Sequence, residues 1–336
     1  MKALPERLLQ LQRRINQLLR IKLRYMAFLW LLLGLVLLFL SGNWLIKGSV
    51  ALSRRFKVST LVVGLTVVAF GTSAPELFVS VKAAWDGVPD LAVGNVVGSN
   101  IANIGLILGL VAMVVPIVSQ NRGILFDWVV MVLATLLLMF FAYNGTIGFW
   151  EGLTFVLALV LYVLWSVLQA RRKSARQGEA FLAPGLLLWQ ALSLIVLSVA
   201  GLYVGAEWLV KGAKSLALNW GVSDRVIGIS IVAFGTSVPE LATSLIAVFR
   251  KENDISVGNI IGSNIFNILA VLGLTSLISP LRINDNAMLS VDLLISILFA
   301  VVLLVFMLPL KSGCVRRWKG ALLFLGYVLY MYLLYT

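Results

Sequence analysis

Two glutamates, Glu76 and Glu240, are the only carboxylates deep inside long apolar stretches of this chain. Each closes the same short device: Gly71-Thr72-Ser73-Ala74-Pro75-Glu76 and Gly235-Thr236-Ser237-Val238-Pro239-Glu240. Proline has no N–H, and its ring clashes with the carbonyl four residues back. The helix is therefore expected to break or kink over residues 69–75, releasing carbonyls around Ala69, Phe70 and Gly71. The second copy repeats the arrangement from Ala233. In lipid, released carbonyls are tolerated only where they line a polar cavity. Thr72 and Glu76 are four residues apart and share a helix face. A second polar element follows each device. Asn95, Ser99 and Asn103 form one stripe at four-residue spacing, and Asn259, Ser263 and Asn267 form another. Asn100 and Asn264 sit off the stripe, placed for packing or interhelical hydrogen bonds.

A charge at the bilayer centre costs about 2.5–3.5 kcal/mol on insertion scales. Two carboxylates brought together also repel, unless one protonates or a cation joins them. Carboxylates, hydroxyls, amide oxygens and freed carbonyls make an oxygen-only set. Such a set suits hard cations, and Ca²⁺ accepts about six to eight oxygens in adaptable geometry. Na⁺ or protons can compensate the same charge, and competition for one cluster gives exchange. The bland reading is a proline kink over a protonated glutamate, with Ser and Asn as interhelical glue. Recurrence of the costly device at matched positions weighs against it.

The elements that carry these residues follow from composition. Of 336 residues, 61% are hydrophobic and 12% charged. A soluble domain averages about 45–50% and 25%, and disorder needs low hydrophobicity. Charge-free runs at 25–46, 58–75, 91–121, 128–150, 152–170, 180–206, 255–281, 293–310 and 320–336 reach or approach the length of a membrane span. Histidine is absent, which removes zinc proteases, Ser-His pairs and imidazole shuttles. Cys314 is the single cysteine, so no intramolecular disulfide or thiolate cluster forms. The formal charge of +13 fits basic cytoplasmic loops, and no nucleic-acid module is evident.

The chain is written twice. Residues 71–77 return at 235–241, and 94–110 return at 258–274, both displaced by 164 positions. Trp44-Leu45-Ile46-Lys47-Gly48 matches Trp208-Leu209-Val210-Lys211-Gly212, and Asp127 matches Asp292. The expected fold is an all-α polytopic membrane protein. It has ten transmembrane helices as two inverted five-helix repeats, with the second and seventh discontinuous. Five spans per half force the copies to enter with opposite polarity, the plan of secondary transporters. The divisions are a basic amphipathic extension at 1–24, a first repeat at 25–170, a linker at 171–183 and a second repeat at 184–336. Alternate loops carry fifteen Lys and Arg against five on the other side, which puts the linker in the cytoplasm. The extension adds seven positive charges on the opposite side. Its apolar spacing reads as an interfacial or accessory helix.

The motifs GTSAPE, GNVVGSNIAN, GTSVPE and GNIIGSNIFN resemble those of the sodium/calcium exchanger family, and the five-plus-five layout extends the likeness to nearly all residues after 25. The resemblance implies alternating access by sliding of the first and sixth helices past an eight-helix core. It implies Glu76 and Glu240 as central ligands for Ca²⁺ and Na⁺, with Thr72, Ser73, Thr236, Ser237 and the Ala69 and Ala233 carbonyls contributing oxygens. Ser99 and Ser263 would serve Na⁺ sites. Asn103 and Asn267 match positions that vary between Asn and Asp, and neutral amides there argue against K⁺ co-transport. The linker is too short for the regulatory domains of animal exchangers.

The reading is a Ca²⁺/Na⁺ antiporter of a prokaryotic plasma membrane, with Ca²⁺ and Na⁺ as transported substrates. It needs no cofactor, nucleic acid or obligate protein partner, only membrane lipid. The rivals are a Ca²⁺/H⁺ antiporter on the same scaffold, an intramembrane enzyme using the glutamate pair, and a channel.

Overall fold

The computed structural model describes residues 3–118, 124–177, 185–219, 233–283, 291–307 and 314–335. They form eleven helices and four two-residue strands. In chain order these are α1 (Ala3–Phe56), α2 (Thr60–Thr72), α3 (Ala74–Trp85), α4 (Pro89–Val114), β1 (Ile117–Val118) and α5 (Ile124–Ala142). Then come β2 (Thr146–Ile147), α6 (Phe149–Gln177), α7 (Leu188–Asn219), α8 (Ala233–Phe249) and α9 (Asn253–Ile278). The last are β3 (Leu281–Arg282), α10 (Leu293–Met307), β4 (Cys314–Val315) and α11 (Arg317–Tyr335). Six helices are long and apolar enough to cross a membrane, and the bent pair α2–α3 makes seven. The molecule is a helical, multi-pass membrane protein.

Two helices form the centre. In α4 and α9, 83% and 89% of the apolar window is buried in the protein, against 22% to 33% for α1, α5, α6 and α7. Peripheral helices thus turn most of their apolar surface to lipid. The central ones are apolar all round apart from their Ser and Asn stripes. Glycines set the closest contacts. A Cβ on Gly258 would lie 2.7 Å from the Leu61 carbonyl, and one on Gly262 would lie 2.7 Å from the Leu65 carbonyl. These absent side chains let α9 lie directly on α2. A Cβ on Gly34 would meet Leu209 N at 2.7 Å, and one on Gly212 the Ala27 carbonyl at 2.7 Å. Helices α1 and α7 accordingly pack on each other along their length.

Short antiparallel ladders tie the loops. Ile117 and Val118 pair with Val315 and Cys314, and Thr146 and Ile147 pair with Arg282 and Leu281. The interhelical Trp128 Nε1 donates to the Ala300 carbonyl at 2.7 Å, joining α5 to α10.

The helices depart from the expected divisions at three places. Residues 3–24 run on into α1 as one 54-residue helix. No Gly or Pro lies between Pro5 and Gly34, so nothing interrupts the ladder. Helix α6 runs on to Gln177, beyond the expected end of the first repeat at 170. In the second copy, Pro239 lies inside the continuous helix α8 rather than at a break. Proline removes one backbone bond there, and neighbouring helices sustain the rest. Residues 220–232, where the start of the seventh span was expected, lie outside the described residues.

Candidate cation site

The first copy does break at its proline device. Helix α2 ends at Thr72 and α3 begins at Ala74, with a bend of 44°. Ser73 is the pivot, at φ −81° and ψ 4°. Pro75 then occupies the first turn of α3, where a missing N–H costs nothing. Upstream, Gly64–Val68 adopts π-helical bonding. The Ala69 carbonyl is not released as expected. It accepts the Ser73 N–H at 2.9 Å and the Thr72 hydroxyl at 3.3 Å.

Residues from the two copies meet at this pivot. Thr72 Oγ1 donates to Asn259 Oδ1 at 3.0 Å and lies 3.3 Å from Ser263 Oγ. Ser73 Oγ donates to Glu240 Oε1 at 3.4 Å. Glu76 and Glu240 are both fully buried. Ser99, Asn103, Ser237, Ser263 and Asn267 are buried as well, whereas Thr236 is half-buried. Ala233 contributes the first backbone position of α8.

The stripe asparagines divide into two jobs. Asn95 Nδ2 donates to the Glu76 carbonyl at 3.3 Å and to Ser80 Oγ at 3.1 Å. Asn259 Nδ2 donates to the Glu240 carbonyl at 3.4 Å and to Ser244 Oγ at 3.0 Å. These amides fix the glutamate-bearing turns against α4 and α9. About two helical turns further, the halves cross-link: Asn103 Nδ2 donates to Asn264 Oδ1 at 2.9 Å, and Asn267 Nδ2 to Asn100 Oδ1 at 3.1 Å. Asn103 and Asn267 each open a π-helical segment, Asn103–Leu108 and Asn267–Leu272.

What these groups leave unpaired defines the chemistry. Both carboxylate oxygens of Glu76, Oε2 of Glu240, the Oδ1 atoms of Asn103 and Asn267, and the hydroxyls of Ser237 and Thr243 are buried without a partner. Native structures leave few such atoms, each costing about 1–3 kcal/mol and more when charged. Among the described residues no ion pair reaches Glu76 or Glu240, so no cationic side chain neutralises either glutamate. No cluster of three or more acidic, His or Cys residues occurs among the described residues. Two carboxylates with neutral oxygens are what remains, and a hard cation suits that set. Two further carboxylates stand apart: buried Asp127 accepts from Tyr162, and half-buried Asp292 from Tyr330, each at 3.0 Å.

Comparison with known proteins assigns the arrangement to a family. Residues 26–168 and 190–336 match the family described as sodium/calcium exchanger protein. The chain belongs to this family. It is 39% identical over 316 residues to the putative antiporter CaxA of Alkalimonas amylolytica, covering 92% of this chain and 99% of that protein. It is 37% identical over 321 residues to the inner membrane protein YrbG of Escherichia coli, covering 91% and 95%. A solved structure of the sodium-calcium exchanger NCX_Mj, soaked with Na⁺ and Ca²⁺, superposes with a TM-score of 0.77 at 33% identity, covering 91% and 97%. Family and relatives are transporters, so this exchanger-family chain is a cation antiporter and not an enzyme.

Sequence reasoning singled out both glutamates, the Thr-Ser pairs and the stripes. It missed Ser80, Ser244 and Thr243. The first two carried a signal, since each lies four residues after a glutamate and they match across the 164-residue offset.

Proposed function

We propose that the protein exchanges Ca²⁺ for Na⁺ across a prokaryotic inner membrane by alternating access. The observation that carries this is the buried, oxygen-only cluster, contributed by both halves, in which neither glutamate has a cationic partner. Glu76 and Glu240 bind Ca²⁺ or Na⁺ directly. Thr72, Ser73, Thr236 and Ser237 supply hydroxyls, Ser99 and Ser263 serve flanking Na⁺ sites, and Asn103 and Asn267 supply amide oxygens. The Ala69 carbonyl joins when the Thr72 hydroxyl turns to the ion, and the Ala233 carbonyl is its second-copy counterpart. The inner-membrane reading draws on the name of YrbG.

The scaffold for this is ten spans in two inverted repeats, 25–170 and 184–336, joined by the linker 171–183 and preceded by the extension 1–24. Paired features support it. The Asn95 and Asn259 ties repeat each other partner for partner. The β1–β4 and β2–β3 ladders are counterparts, β1 matching β3 and β2 matching β4, at opposite ends of the expected topology. A Cβ on Gly109 would meet the Gly320 carbonyl at 3.1 Å, and one on Gly273 the Gly152 carbonyl at 3.3 Å, again across matched helices. Helices α1 and α7 slide along their glycine-lined contact to expose the site alternately.

The test is ⁴⁵Ca²⁺ uptake into Na⁺-loaded proteoliposomes with pH clamped on both sides. Uptake that requires the outward Na⁺ gradient and disappears in Glu76→Gln and Glu240→Gln supports the proposal. Uptake that ignores Na⁺ and follows an imposed pH gradient assigns protons to the same carboxylates, making a Ca²⁺/H⁺ antiporter.

A further inference from the structure

We propose that a cavity at the end of α1, separate from the glutamate cluster, binds a phosphate group. The cavity measures about 460 Å³, and its lining includes Lys47 and Arg54 of α1, Leu186 ahead of α7, and Arg250 and Glu252 from the turn between α8 and α9. Three cationic side chains face one carboxylate, an excess of two positive charges. Lys47 and Arg54 form no hydrogen bond or ion pair among the described residues. Arg250 is aimed by its Nε, which donates to Asn43 Oδ1 of α1 at 2.8 Å. The guanidinium keeps four further N–H donors for a ligand.

The turn that presents Arg250 and Glu252 is tight. The Glu252 N–H reaches the Ala247 carbonyl at 2.9 Å, and Lys251 holds the left-handed conformation at φ 63°. The matching turn of the first copy places Gly87 there, at φ 78°. A lysine accepts strain that glycine avoids. Burial raises the Glu252 carboxyl above its ordinary range, Asp254 adds to the rise, and Arg54 and Arg250 oppose it.

These features select an anion of a particular kind. Guanidinium forks match the oxygens of phosphate, and lysine adds a point charge. A phosphate monoester carries about −1.5 to −2 charges at pH 7, which fits the excess, whereas a carboxylate carries one. The excess positive charge repels Ca²⁺, so the cavity is not an ion pathway. The phosphate comes either from a monoester lipid headgroup, the chain end of α1 being next to the bilayer, or from soluble phosphate. A bound phosphate bridges α1 to the α8–α9 turn. Its consequence, slower exchange, rests on the transport proposal above; the binding itself does not.

The test uses the full chain in phosphatidylcholine nanodiscs. Bound phosphate is read by native mass spectrometry with a minor fraction of phosphatidic acid in the bilayer, and separately with inorganic phosphate in solution. Wild type is compared with a Lys47→Gln/Arg54→Gln variant and with Arg55→Gln/Lys57→Gln, which removes equal charge outside the cavity lining. Retention of phosphatidic acid that falls about tenfold or more only in the first variant supports a headgroup site. The same loss for inorganic phosphate supports a soluble ligand at the same residues. Lys47→Arg/Arg54→Lys restores binding, which separates charge loss from misfolding, and Glu252→Gln strengthens it. Equal binding in wild type and Lys47→Gln/Arg54→Gln, or equal loss in both double variants, overturns the proposal. These readouts contain no Ca²⁺ or Na⁺, so failure of the exchange reading leaves them intact.

Discussion

Glu76 and Glu240 place opposite demands on the empty and the loaded protein. Empty, they are buried carboxylates with three unpaired oxygens between them. In the proposed loaded state, the same oxygens are ligands. Neutralising either one should therefore stabilise the empty protein while destroying its response to the ion. Glu240→Gln is expected to raise the stability of the ion-free protein by about 1–3 kcal/mol, since it removes a buried, incompletely paired charge. Wild type gains about 2.7 kcal/mol when Ca²⁺ reaches a hundredfold excess over its dissociation constant, and the variant gains almost none. Thermal unfolding with and without Ca²⁺ measures both effects. A variant that is still fully stabilised by Ca²⁺ would remove Glu240 from the ligand set. This contrast was legible in the sequence, because a carboxylate amid apolar residues announces its own cost. The work of individual amides was not. Spacing placed Asn95 and Asn259 on the ligand stripe, yet their Nδ2 atoms tie down the glutamate backbone instead. Periodicity names a face, not which end of an amide is spent on which neighbour.

Among the elements, the glycine contact between α9 and α2 does more than save space. It brings Asn259 and Ser263 to Thr72. Gly262→Ala would put a Cβ 2.7 Å from the Leu65 carbonyl and 2.7 Å from the Ala69 Cβ. The helices must then separate, with an overpacking cost of about 1–3 kcal/mol. Ca²⁺ affinity and melting temperature should both fall. Gly326→Ala on α11 is the comparison, since its Cβ would meet Phe299 at an ordinary 3.5 Å. That variant should keep wild-type affinity and stability, measured by calorimetry and thermal melts. Equal behaviour of the two would show that the contact does not position the site. The small-residue surfaces were readable from Gly258 and Gly262. The π-helical turns at Gly64–Val68, Asn103–Leu108 and Asn267–Leu272 were not, because i→i+5 bonding answers to packing rather than local propensity. The unbroken course of α8 through Pro239 was hidden for the same reason.

At the scale of the whole molecule, the duplication was the most readable feature, since an offset shared by several polar motifs survives any ambiguity about helix ends. The proposed inversion makes a checkable statement about sidedness. In a Cys314→Ser background, a membrane-impermeant maleimide added to intact spheroplasts should label Asn144→Cys, beside β2, and not Ser174→Cys in the linker. The reverse pattern would turn the protein over.

The same symmetry constrains the transport cycle. If the glutamates cross the membrane only with their charge compensated, the empty protein cannot return. Ca²⁺ trapped inside proteoliposomes should then stay there when the outside holds neither Ca²⁺ nor Na⁺. Adding unlabelled Ca²⁺ outside should release the labelled ion without any gradient, because each inward-moving ion returns the site. A channel would leak in the first condition, and a carrier whose empty form moves freely would do so too. Retention followed by release on adding either ion follows only when one buried anionic cluster, shared by both halves, must be filled before it can turn.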